Sequence, residues 1–318
     1  VDKENVTMTK PLRLRTLFPL WTVVVAVVCA TAISGRFAGY REVFDVTVEG
    51  SGPPVILIPG LASTGEVWRG TVERLRDRYE LHVLTLAGFG GPAPIGEPFL
   101  PRVAQALVEY ADERRLERPV LVGHSLGGFV AWLAASEAPD AFGGIVAVDG
   151  VPYLPALADP AIDAAAMPAR AEAIRVFHDK LTREQFLAQT DLALASMITA
   201  ESDRDRARGW AAQTDPRAAG VAIAELMTTD LRERVRRIES PALLIGALGA
   251  APEPMHESMR AAYRAQVAGV RGVEVVFSAN SRHFVMLDAP EFLAAELEAF
   301  LERAHAPEGS AEPAGGRP

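Results

Sequence analysis

Val120-Leu121-Val122-Gly123-His124-Ser125-Leu126-Gly127-Gly128 joins a short apolar run to a stretch of helical spacing. The first three residues read as a strand buried on both faces. Beyond Leu126, Phe129, Val130 and Leu133 recur as one face of a helix. Between strand and helix, G-x-S-x-G makes a sharp turn that lifts a serine hydroxyl clear of the sheet edge. Gly123 and Gly127 leave out the side chains that would hold strand and helix apart. The helix from Leu126 points its first N–H groups at negative charge developing beside the serine. A chance Gly/Ser turn would carry the same letters, but a buried strand before it and an amphipathic helix after it make Ser125 the nucleophile candidate. His124 reads as a packing or loop-orienting residue, because neighbours on such a turn project apart.

Working outward, the same type of strand recurs. Val55-Ile56-Leu57-Ile58, Val83-Leu84-Thr85-Leu86, Ile145-Val146-Ala147-Val148, Ala242-Leu243-Leu244-Ile245 and residues 273–277 are short apolar runs. Residues 43–49 instead alternate, with Phe44, Val46 and Val48 on one face, as a half-exposed strand does. Helical stretches separate most of these runs. Alternation of this kind predicts an α/β fold with a doubly wound, mostly parallel sheet. Residues 151–239 break the rhythm: they hold no convincing strand and read as helices punctuated by Pro155, Pro160, Pro168 and Pro216. A structureless loop of that length is implausible in a folded domain, so this stretch is predicted to be a helical cap inserted between two sheet strands. The last helix is expected after Pro290, with Phe292, Leu293, Leu297, Phe300 and Leu301 on its apolar face and Asp288 as its N-terminal cap.

Composition narrows the function. The chain of 318 residues is 49% apolar and 23% charged, as globular proteins are. A net charge of −9 gives no basic field for nucleic acid. A lone cysteine, Cys29, excludes an internal disulfide and a Cys/His zinc cluster. No strand is followed by G-x-G-x-x-G, and no P-loop is present, so neither a cofactor nor a metal is expected.

The elbow, Ile58-Pro59-Gly60-Leu61, the turn Leu86-Ala87-Gly88-Phe89-Gly90, and Arg282-His283-Phe284 before the last helix together resemble the α/β-hydrolase family, in its capped, esterase-like branch. The resemblance covers about residues 40–304. It departs at Pro59-Gly60, where many relatives carry His-Gly. It implies that His283, after the last strand, is the base that takes the serine proton and returns it to the leaving group. It also implies an oxyanion hole built from the backbone N–H groups of Leu126 and of Leu61, or of Ala62 in its place. Most relatives keep the orienting acid after the strand equivalent to 242–245. Here Gly246-Ala247-Leu248-Gly249-Ala250-Ala251-Pro252 offers none before Glu253. One strand earlier, Ile145 to Val148 ends in Asp149-Gly150, on the edge that parallel strands share. Asp149 is the favoured acid and Glu253 the alternative, although Asp before Gly is also a common turn.

A serine nucleophile argues for carboxylic esters, with thioesters, lactones and C–C bonds open to the same triad. The expected substrate is a small or medium apolar ester, held under a cap that offers Met167, Phe177, Met197, Trp210 and Met227, residues that could equally be cap core. A non-catalytic binding protein on the same scaffold is the reading of another class.

Both ends read separately. Lys10, Arg13 and Arg15 precede an uncharged run whose most apolar part is 17–29, followed by Ala30-Thr31-Ala32. Residues 1–35 are expected to be a signal peptide for export, cleaved after Ala32, or else a retained membrane anchor. The expected organisation continues with a sheet domain over 36–150, the cap over 151–239, the rest of the sheet domain over 240–305, and a disordered tail over 306–318.

Overall fold

The computed structural model describes residues 39–159 and 162–306; the expected signal or anchor, and residues 307–318 of the expected tail, lie outside them. Among the described residues seven strands form one sheet: β1 (Phe44–Gly50), β2 (Pro54–Ile58), β3 (Glu80–Leu86), β4 (Val120–His124), β5 (Gly144–Val148), β6 (Ala242–Ala247) and β7 (Glu274–Ser278). Their order is β1-β3-β2-β4-β5-β6-β7. Only β1 is antiparallel, pairing with β3 at the edge; it is half-exposed as expected, but its burial alternates only as far as Thr47, and Val48, expected on the face of Phe44 and Val46, is 41% exposed.

The helices lie on both faces. In chain order they are α1 (Arg69–Leu75), α2 (Phe99–Arg114) and α3 (Leu126–Glu137), and then, between β5 and β6, α4 (Pro155–Ala158), α5 (Met167–Lys180), α6 (Arg183–Met197), α7 (Glu201–Ala211) and α8 (Pro216–Thr228). After β6 come α9 (His256–Gln266), the single turn α10 (Val285–Asp288) and α11 (Pro290–Ala304). Successive strand residues point to opposite faces, so each strand feeds two cores. Ile56, Ile58, Leu121 and Ile145 are buried with Phe99, Val103, Phe129 and Leu133 of α2 and α3. Val55, Leu57, Val120 and Val146 are buried with Leu75 of α1 and with Leu293 and Leu297 of α11. That two-sided burial is why these strands are continuously apolar.

Among the described residues of 151–239, between β5 and β6, helices form and no strand does. Thr182 and Gln185 make a capping box at the start of α6, and Asp215 caps α8 ahead of Pro216. The insertion is tied to the sheet domain by a carboxylate. Glu225 of α8 accepts hydrogen bonds from Phe99 N and Leu100 N, both at 2.7 Å. These are the first N–H groups of α2, whose own cap position is Pro98 and supplies no side-chain bond. Burial pushes the Glu225 carboxyl above its ordinary range, and the two N–H bonds oppose that shift.

One sequence expectation is corrected. Asp288 does not cap the last helix; Ala289 holds that position, with no side-chain bond. Pro290 at the first helical position has no N–H to satisfy, and the Asp288 carboxylate is engaged elsewhere.

Candidate active site

Chain order sets the location. From β2 the sheet grows one way through β3 and the other way through β4, and ligands of open parallel sheets bind at the strand C-termini beside such a reversal. The loops after β2 and β4 flank it, one carrying Leu61 and the other Ser125.

Ser125 has φ 52° and ψ −115°, a conformation that costs a non-glycine residue about 1–3 kcal/mol and needs surrounding structure to enforce it. Its N–H donates to the Val148 carbonyl at 2.9 Å, and its carbonyl accepts from Phe129 N at 3.0 Å. The glycines are obligatory by distance. A Cβ on Gly123 would stand 2.2 Å from the Gly127 carbonyl oxygen, and one on Gly127 would stand 2.3 Å from that of Ile58. The Ser125 side chain is not spent on capping α3, which leaves the hydroxyl available for chemistry.

Asp149 follows β5, also at positive φ (51°), with its N–H on the Ile245 carbonyl at 2.7 Å. Its two carboxylate oxygens have separate partners. Oδ2 meets Nδ1 of His283 at 2.6 Å. Oδ1 accepts from Ala247 N at 3.0 Å and from the Tyr263 hydroxyl. The carboxylate is nearly buried, at 9% side-chain exposure against 26% for His283. Three donors around a buried carboxylate offset its desolvation, and bonds to a charged acceptor are worth about 1.5–3 kcal/mol each. Burial, and then the Asp149 charge, push the Tyr263 hydroxyl well above its ordinary range, so it stays a donor. Tyr263 and the Ala247 amide were not anticipated. Tyr263 is one residue on the inner face of α9, 114 positions from Asp149, and no local pattern marks it. Glu253 lies exposed in a short 3₁₀ turn, Glu253–Met255; the carboxylate brought to His283 is that of Asp149.

The loop after β2 is a tight turn, with Ser63 N on the Gly60 carbonyl at 3.3 Å and Ala62 at φ 54°. Among the described residues no acceptor takes the N–H of Leu61, Ala62 or Leu126. Of the apolar insertion residues, Met167 and Trp210 are buried, Met227 packs against the Met167 cluster, Met197 is half-buried, and Phe177 is 49% exposed. Most of that group is packing.

His124 is fully buried beneath His283, ring centroids 4.7 Å apart. Its Nε2 lies 3.1 Å from the His283 carbonyl oxygen. A carbonyl only accepts, so Nε2 carries the proton and Nδ1, which has no partner among the described residues, is the bare nitrogen. Burial, and then the proximity of His283, hold the His124 pKa well below its ordinary value. A depressed folded-state pKa gives stability that is present above the unfolded value, near ~6.5, and lost as pH falls below it. His124 should therefore steepen the loss of stability on acidification below that value. Denaturant melts from pH 7 to 5 should show a shallower slope for His124→Asn than for the wild type; parallel slopes would mean that His124 does not carry the effect.

A family model described as the alpha/beta hydrolase family matches residues 55–296, most of the chain. This protein is an α/β hydrolase. The pimeloyl-[acyl-carrier protein] methyl ester esterase of Vibrio vulnificus (strain YJ016) is 28% identical over 256 residues, which span 79% of this α/β hydrolase and 95% of that protein. Solved structures agree on the fold. The bromoperoxidase from Bacillus anthracis superimposes with a TM-score of 0.67 at 22% identity, covering 81% of this chain and 95% of that one. A thermophilic esterase from Thermogutta terrifontis gives 0.66 at 19% identity, covering 83% and 94%.

Proposed function

We propose that this α/β hydrolase cleaves carboxylic esters of small or medium apolar substrates through an acyl-enzyme. The observation that carries the reading is the 2.6 Å contact between His283 Nδ1 and Asp149 Oδ2 at the edge where Ser125 stands. It leaves Nε2 of His283 as the bare nitrogen that can act as base. Esterase activity in the Vibrio relative supports the same class.

The steps follow. Ser125 Oγ attacks the ester carbonyl carbon as its proton passes to His283 Nε2. The carbonyl oxygen becomes an oxyanion, held by the N–H groups of Leu126 and of Leu61 or Ala62, at the positive end of α3. Asp149 stabilises the imidazolium. The C–O bond to the alcohol breaks, and the alcohol leaves with the proton from His283. Water then repeats the sequence on the acyl-enzyme: it gives its proton to His283, adds to the carbonyl, and releases the acid and Ser125. No step calls for a metal or a cofactor.

A panel of p-nitrophenyl esters from acetate to decanoate, with thioester and lactone counterparts, tests the substrate class. Hydrolysis should be fastest on short to medium oxygen esters. A preference for the thioesters or lactones at equal chain length would move the assignment within the family, and no turnover of any of them would remove the esterase reading.

A further inference from the structure

His283 is held at four points, and two of them lead into the helical insertion. Its ring meets Asp149, and its carbonyl oxygen accepts from His124. The amides on either side of it are also engaged. Arg282 N donates to Asp288 Oδ2 at 2.8 Å, and Phe284 N donates to the carbonyl of Met197, the last residue of α6, at 3.3 Å. Asp288 continues the link. It accepts from Thr199 N on Oδ1 and from Thr199 Oγ1 on Oδ2, both at 2.9 Å. Thr199 lies in the turn between α6 and α7. The Arg282 guanidinium reaches the Ala195 carbonyl at 2.7 Å. Arg204 stiffens the same turn from α7, bonding the carbonyls of Ile198 and Thr199 at 3.0 Å each. Ile198 itself is fully buried, in the cluster that contains Phe284 and Val285.

We propose that Asp288 is a positioning residue that ties the 197–199 turn of the insertion to the loop carrying His283, so that the base holds its reactive place only while that turn is seated. The proposal rests on the reading of His283 as the base. The chemistry of the link calls for a carboxylate. Three donors from two chain segments converge on it, the Thr199 N–H, the Thr199 O–H and the Arg282 N–H, and only an all-acceptor group serves all three. An asparagine of the same shape would turn an NH₂ towards one set of donors and lose at least one bond. Displacement of a catalytic group by about 1 Å can cost on the order of 10²-fold in rate, so a loosened loop is read directly in turnover.

The test uses Asp288→Asn and Thr199→Val in the full chain, with two readouts. One is hydrolysis of p-nitrophenyl butyrate. The other is the downfield proton resonance of His283 Nδ1–H in its bond to Asp149, which needs no substrate. We expect kcat to fall about 10-fold or more in Asp288→Asn and about threefold in Thr199→Val, with KM within about twofold. The resonance should broaden in both as the proton exchanges faster with water. Folded variants that keep both kcat and a sharp resonance would overturn the proposal and leave Asp288 a purely structural tie. If Asp288→Asn does not fold, Thr199→Val decides alone, since it removes one hydroxyl from an exposed turn. If the wild type hydrolyses no ester, the functional reading fails, and the resonance still decides the link.

Discussion

Ser125→Ala is expected to abolish ester hydrolysis and covalent labelling by a fluorophosphonate while the fold survives. Loss of the nucleophile in a serine hydrolase lowers kcat by on the order of 10⁶-fold, leaving only what the oxyanion donors and binding supply. The fold should hold because the hydroxyl supports nothing structural: it makes no capping bond to α3. The strained turn is held by backbone bonds to Val148 and Phe129 and by the close approach of Gly127 to Ile58, all of which alanine keeps. Thermal melts should therefore nearly superimpose. Labelling that persists in the variant would take the nucleophile away from Ser125.

Asp149→Asn is expected to cost about 10⁴-fold in kcat. Tyr263 and the Ala247 amide both donate to Oδ1, so the asparagine carbonyl takes that side and its NH₂ faces His283. Nδ1 of His283 must then accept, which puts the proton on Nε2. A nitrogen that already carries a proton cannot take another from Ser125. The loss thus comes from a reversed tautomer in an intact site. Glu253→Gln should change kcat less than about twofold, as expected of an exposed surface carboxylate. The opposite ranking would move the acid to Glu253, and two near-normal variants would mean that a group other than these carboxylates orients His283.

The parts of this site that could be read from the chain are those encoded within a few residues. The elbow is one, because its glycines and serine are contiguous. The pairing of Asp149 with His283 was legible for a topological reason: parallel strands end on one edge, so an acid after β5 reaches the same place as an acid after β6. The loop after β6 holds no acid before Glu253, yet the end of β6 still contributes, through the Ala247 N–H on Asp149. What escaped are side chains whose partners are distant in sequence. Tyr263 looks like one more aromatic on an amphipathic helix. Asp288 two positions before a proline looks like a helix cap, but its carboxylate goes instead to the Arg282 N–H and to Thr199, 89 residues away. Local rules assign a polar residue to its nearest need, and here tertiary contacts claimed it first.

The Glu225 bonds to the start of α2 carry a consequence for modularity. The first two amides of a sheet-domain helix are satisfied by a residue of the insertion, 126 and 125 positions away. Helix and insertion are therefore thermodynamically coupled: neither reaches full stability without the other, and unfolding should be one concerted event. An insertion transplanted from another family member to change substrate preference must bring an acceptor to the same spot. Without one, the recipient loses part of its scaffold along with its old specificity.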